Sequence, residues 1–211
     1  MKLKNNYFLL RHGESLKNVK NFESSWPEKK RIPLTKKGKK EAERAAEKLK
    51  GSKENRSSSL PFVNAQVIDF IFCSDLLRTK QTAEIVGRKI GIKPIEDKRL
   101  REIGLGIFNG KSVSQFGGFW NQGEKLSALE HYKRRFKMPL PGGETYDEVE
   151  ARLASFIKDM EKKYQGKNIL VVSHQRPLTL LEKTVRNYSL PKFARLVVGK
   201  KEIKTGELRK L

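Results

Sequence analysis

Three short apolar runs constrain this chain more than any other feature: YFLL at 7–10, FIF at 70–72 and ILVV at 169–172. They are brief, do not alternate with polar residues, and are rich in β-branched and aromatic side chains. Runs of that kind read as central strands covered on both faces. The segments between and after them carry helical spacing. In TKKGKKEAERAAEKLK (35–50), Ala42, Ala45, Ala46 and Leu49 share one face, and in RTKQTAEIVGRKI (78–90) Ala83, Val86 and Ile90 do the same. From Thr145 onward Val149, Leu153, Phe156, Ile157 and Met160 form a stripe, with Thr145 and Glu148 as a capping box. A further helix is expected near Pro177, a short strand from KPIEDKRL ending at Leu100, and an edge strand in the C-terminal KEIKTGELRKL. Strands alternating with helices give an α/β layered fold with a mostly parallel sheet.

No internal repeat interrupts this pattern, and residues 1–211 are expected to form one domain. Two segments read as loops. KGSKENRSSSLPF (50–62) is polar. Residues 111–144 mix Gly, Pro, aromatic and basic residues without clean periodicity, the mark of an irregular insertion over an active site.

Composition narrows the class. With 46 Lys+Arg against 24 Asp+Glu, a formal charge of +22, the protein attracts anions of every kind, from nucleic acid to phosphorylated metabolites. The lysines are spread along the chain, so a solvated basic surface is the simpler reading than a dedicated polyanion surface. Cys73 is the sole cysteine, which excludes an intrachain disulfide, and FIFCSD places it as a small core residue. The N-terminal apolar run is too short for a signal peptide, and no run approaches the roughly 20 residues of a membrane helix. A cytoplasmic protein without a membrane partner is expected, and the N-x-S sequons at Asn55 and Asn187 are then chance matches.

Chemistry gathers where those strands end. In open α/β sheets ligands bind beyond the carboxyl ends of the strands. The first run leads into RHGES, with Arg11 and His12; the second into CSD and a helix opening with Arg78; the last into SHQ, with His174. Arginines beside histidines would repel a metal cation, so no metal site and no cofactor are expected. A phosphoryl group wants the reverse. Arg11 and Arg78 present planar donor forks to its oxygens, His174 adds a hydrogen bond, and neutral His12 is the nucleophile that carries the phosphoryl group before water takes it. Gly13 lets the backbone approach the ligand. A departing alkoxide needs a proton, and Glu102 in RLREIGLGIFNG is the candidate donor; the competing role for it is a surface salt bridge to Arg99 or Arg101.

Other features carry less. Gly104, Gly106 and Gly110 are spaced GxGxxxG and fit no dinucleotide-binding turn. His131 is expected on the surface. Lys133, Arg134, Arg135 and Lys137 read as a solvated face that steers acidic or multiply phosphorylated substrates.

These motifs, in this order, carry a resemblance. LLRHGESLKN (9–18), PLTKKGKKEA (33–42), SDLLRTKQTA (74–83), LREIGLGIFNG (100–110), PGGET (141–145) and VVSH (171–174) resemble the signature segments of the histidine phosphatase superfamily, the group that includes phosphoglycerate mutase. The resemblance spans nearly the whole chain. It implies a phosphoglycerate mutase-like three-layer α/β/α sandwich, His12 as the phosphorylated nucleophile and Glu102 as proton donor. It also implies a phosphate pocket of Arg11, Arg78 and His174, with Asn18 on the substrate side. Many members place glycine after the second histidine. Here Gln175 follows it, similar to the fructose-2,6-bisphosphatase branch, and its side chain is expected to touch substrate.

The activity so implied is metal-independent phosphomonoester hydrolysis of small phosphorylated metabolites through phosphohistidine, by a phosphatase of histidine acid phosphatase type. A mutase-like isomerase, returning the phosphoryl group to the substrate, would use the same pocket. A non-catalytic polyanion binder is the third reading. Nucleic acid is not expected as a partner, because the aromatic–basic stacking surface is missing. No oligomeric state follows from the sequence.

Overall fold

The structure is a computed structural model that describes residues 3–28, 30–50, 67–120 and 126–211, with backbone only over 117–120. The apolar runs form the strands β1 (Asn6–Arg11), β2 (Phe70–Cys73) and β4 (Asn168–Ser173). With β3 (Ile95–Glu96) and β5 (Leu208–Lys210) they make one sheet of order β3-β2-β4-β1-β5, parallel throughout except for β5. The C-terminal edge strand thus forms as its sequence suggests. KPIEDKRL does not run on as a strand to Leu100: β3 has two residues, and Lys98–Leu100 is a 3-10 turn capped by Asp97, whose side chain accepts from the Arg99 amide. Asp97 competes for the backbone locally and stops the strand.

Alternation along the buried strands explains why both faces must be covered. Tyr7, Leu9, Phe72, Ile169 and Val171 pack to one side, against Val149, Leu153, Phe156 and Ile157 of α6 (Tyr146–Lys163) and residues of α7 (Gln175–Val185) and α8 (Leu190–Val198). Phe8, Leu10, Ile71, Leu170 and Val172 pack to the other, against Ala45, Ala46 and Leu49 of α2 (Lys36–Lys50) and Ala83 and Val86 of α3 (Leu77–Ile90). Cys73 lies in that second layer as a buried core residue, and burial pushes its thiol up to about 12. The result is the three-layer α/β/α sandwich. α6 begins at Thr145, whose hydroxyl accepts from the Glu148 amide at 3.1 Å while Glu148 accepts from the Thr145 amide at 2.7 Å. A short helix α1 (Leu16–Lys20) follows β1.

The segment 111–144 departs from expectation. Among its described residues are two helices, α4 (Val113–Trp120) and α5 (Ala128–Lys137). α5 hides a helical period among its basic residues: Tyr132, Arg135 and Phe136 are buried, and the Tyr132 and Phe136 rings meet Tyr146 of α6 and Phe193 of α8. Aromatic edge-to-face packing therefore fixes this lobe to the core. The loop expected over 50–62 lies, beyond Lys50, outside the described residues, as does Asn55. No described helix is long and apolar enough to cross a membrane.

Candidate active site

Sheet register brings the histidines together. Arg11 of β1 pairs with Ser173 of β4, so His12 and His174 are the next residues of two adjacent parallel strands. The His12 amide donates to the Ser173 carbonyl at 3.1 Å, and the two rings lie 5.2 Å apart between centroids at 63°. β2 ends at the same level: Cys73 pairs with Val172, and Ser74 then sets its hydroxyl 3.0 Å from His174 Nε2.

His12 is 3% exposed, and its Nδ1 lies 2.8 Å from the Gly13 carbonyl oxygen. A carbonyl oxygen can only accept, so Nδ1 carries the proton and Nε2 of the neutral ring carries the lone pair. Burial holds the His12 pKa well below its ordinary 6.5, and Arg78 and Arg11 push it further in the same direction. His174 is lowered too, by burial first and then by Arg78 and His12. The ring at the strand end is therefore a neutral base with one directed lone pair, the form a nucleophile needs.

The arginines are short of partners. Arg78 is fully buried; its Nη1 donates to Glu28 Oε1 at 3.3 Å and its Nη2 to the Ser24 carbonyl at 3.2 Å. Arg11 donates from Nη1 to the Ile203 carbonyl at 3.2 Å. Arg11 Nε, Arg78 Nε and His174 Nδ1 are buried without a hydrogen-bond partner among the described residues. Burial lowers both guanidinium pKa values, and for both the largest opposing charge is Glu102. Unsatisfied buried donors on cations are costly unless an anion meets them, so this pocket is built to receive one.

Glu102 is 7% exposed, and its Oε1 accepts from the Ile103 amide at 3.0 Å. It takes part in no salt bridge with its neighbours in sequence: Arg99 binds Asp97 and Asp159, and Arg101 binds Asp75. Glu102 also lines a cavity of about 270 Å³ together with Lys17, Tyr132, Arg135, Gln175 and Arg176. Among the described residues, no group of three or more His, Cys, Asp or Glu side chains is placed to hold a metal ion.

The structure thus brings Arg11, His12, Arg78, Glu102 and His174 to one edge of the sheet, and Gln175 into the wall of the adjoining cavity. Asn18 is placed differently. It is exposed on α1, and its Oδ1 accepts from the Ser15 amide at 2.9 Å and hydroxyl at 2.8 Å; Lys17, not Asn18, lines the cavity. Gly13 also has a packing role, for a Cβ there would sit 2.2 Å from the Gly38 carbonyl oxygen. His131 is half-buried in the cavity wall, not on the surface, and Arg135 leaves the solvated face to stack over Tyr146 at 4.9 Å. Both follow from α5 turning its aromatic side inward. Arg176 and Ser74 escaped the sequence reading although each lies within three residues of a strand end, which was the available signal.

Relatives agree with this geometry. The model of the histidine phosphatase superfamily (branch 1) matches residues 7–208. The chain is 30% identical over 199 residues to a probable phosphoglycerate mutase GpmB of Enterobacter sp. (strain 638), covering 89% of this chain and 76% of that protein. Among solved structures, a mycobacterial glucosyl-3-phosphoglycerate phosphatase complexed with VO3 superposes with TM-score 0.75 at 22% identity, over 98% of this chain and 92% of that one, a likeness of fold. Bacillus stearothermophilus YhfR superposes with TM-score 0.70 at 26% identity, over 90% and 83%. The match is to branch 1, not to the histidine acid phosphatase type expected from the sequence. Sequence, fold and strand-end geometry converge, and the chain belongs to the histidine phosphatase superfamily, branch 1.

Proposed function

We propose that the protein is a phosphomonoester hydrolase that acts through a phosphohistidine on small phosphorylated molecules. The observation that carries this reading is a set of buried nitrogens without a hydrogen-bond partner among the described residues, Arg11 Nε, Arg78 Nε and His174 Nδ1, on the residues around neutral His12. A phosphoryl group supplies acceptors to donors of that kind, and the two guanidinium charges offset the cost of desolvating it. His12 Nε2 attacks phosphorus, the bond from phosphorus to the leaving oxygen breaks, and Glu102 delivers a proton to that oxygen. Water then attacks the phosphohistidine and gives its proton to Glu102, the N–P bond breaks, and inorganic phosphate leaves. Positioning and fixed positive charge supply what such a transfer chiefly needs. The test is hydrolysis of an aryl phosphate in the presence of chelator. His12→Ala should abolish it, and activity surviving that substitution refutes the mechanism.

A second reading has its own support. The 30% identical relative is named a probable phosphoglycerate mutase, and a mutase would use the same pocket while returning the phosphoryl group to substrate. Interconversion of 2- and 3-phosphoglycerate, assayed beside their hydrolysis, separates the two.

A further inference from the structure

We propose that Arg152, paired with Glu144, is the positioning residue that holds Glu102 for proton transfer. The inference rests on the reading of Glu102 as proton donor. Glu102 lies between two 3-10 turns, Lys98–Leu100 and Gly106–Phe108, in a stretch that no strand of the sheet includes. Its place must then come from side chains, and one ion pair supplies most of them.

From α6, Arg152 Nε donates to Glu144 Oε1 at 3.0 Å and Nη2 to Glu144 Oε2 at 3.1 Å. The same Nη2 donates to the Glu102 carbonyl at 3.2 Å, and Nη1 donates to the Arg99 carbonyl. Glu144 extends the hold: its Oε2 accepts from the Gly104 amide at 2.7 Å, and its own amide donates to the Gly104 carbonyl at 2.9 Å. One arginine–glutamate pair therefore fixes the backbone at 99, 102 and 104. Trp26 adds a second donor to the Glu102 carbonyl, from Nε1 at 3.0 Å. The planar fork of arginine reaches a carboxylate and two carbonyls at once; the single ammonium of a lysine cannot. The PGGET segment is shaped for this contact, since a Cβ on Gly143 would lie 2.6 Å from the Gly104 carbonyl oxygen.

The readout is leaving-group dependence. Dinitrophenolate departs from its phosphate ester as a stable anion without a proton, whereas the alkoxide of an alkyl phosphate needs one. In Arg152→Gln, kcat/KM, which reports the phosphorylation step and not the hydrolysis step common to both substrates, should fall about 10- to 100-fold further for the alkyl phosphate than for the aryl phosphate, part of the ~100- to 10,000-fold worth of a placed general acid. Arg152→Lys should fall between. Because removing one member of a half-buried pair can unfold the loop outright, Glu144→Gln provides a second route to the same ratio. Glu102→Gln sets the limit of the effect, and adding Arg152→Gln to it should not change the ratio further. Equal losses for both substrates in Arg152→Gln and Glu144→Gln, or a lowered melting temperature with the ratio intact, overturn the positioning role. If Glu102→Gln itself leaves the ratio at the wild-type value, Glu102 is not the donor and the proposed mechanism fails at that step.

Discussion

Lowering the pH from about 7.5 to about 5.5 should destabilise this protein through His12 and His174 specifically. Both are held well below the ordinary 6.5, first by burial and then by the neighbouring positive charges, so the folded protein keeps them neutral while the unfolded chain protonates them. The unfolded state then binds more protons, and stability falls as pH falls through 6.5. If both rings stay neutral in the folded protein, each contributes at most about RT ln 10 over that window, so the pair is worth about 2–3 kcal/mol. For a chain of this size that is a melting-temperature loss of roughly 5–10 °C. The assay is denaturant unfolding at both pH values for the wild type and for His12→Gln/His174→Gln, which cannot titrate there. Carboxylates common to both proteins cancel in the comparison. Parallel losses in the two proteins would mean that the histidines are charged in the folded state, and the lone pair assigned to His12 Nε2 would not be preformed.

Two further outcomes follow from contacts at the site. Gly13→Ala places a Cβ 2.2 Å from the Gly38 carbonyl oxygen, backbone against backbone, and should cost about 1–3 kcal/mol while shifting His12; unfolding and aryl phosphatase assays read both, and an unchanged protein refutes the packing argument. Arg176 lines the cavity and is held by Glu202 at 2.6 Å, so Arg176→Gln should raise KM about tenfold for substrates with a second anionic group and leave KM for phenyl phosphate near its starting value. Equal changes for both substrates would remove Arg176 from substrate recognition.

The central strands were legible because a strand covered on both faces must be apolar along its length. YFLL, FIF and ILVV mark β1, β2 and β4 for that reason, and the parallel register then brings His12 beside His174. α2, α3 and α6 were legible because small and apolar residues recur on one face. α5 was not: its inward face uses Tyr132, Arg135 and Phe136, and an arginine that buries its stem against aromatic rings looks like any surface arginine in sequence. Asn18 shows the other limit. Its Oδ1 caps α1 through the Ser15 amide and hydroxyl, a contact that the residue types alone do not reveal. Arg152 lies 50 residues from Glu102 along the chain, so no local pattern joins them.

The charges that make the pocket bind an anion also keep its nucleophile neutral, and the two effects must exchange when the pocket fills. Arg78 and Arg11 lower the His12 pKa, and Arg78 lowers that of His174. A tetrahedral dianion seated between them cancels much of that field and offers His174 Nδ1 an acceptor. Protonation of His174 is then favoured, while His12 keeps its proton on Nδ1 and its lone pair on Nε2. The same exchange favours the reaction, because positive charge develops on His12 as it bonds to phosphorus while Nδ1 still donates to Gly13. Binding should therefore draw protons from solution. Sulfate is the suitable probe, being dianionic across the range. Calorimetric titration with sulfate near pH 6, in two buffers of different ionisation enthalpy, should report net proton uptake on binding. Binding without proton uptake would show that the arginine field does not control His174, and its lowered pKa would have to rest on burial alone.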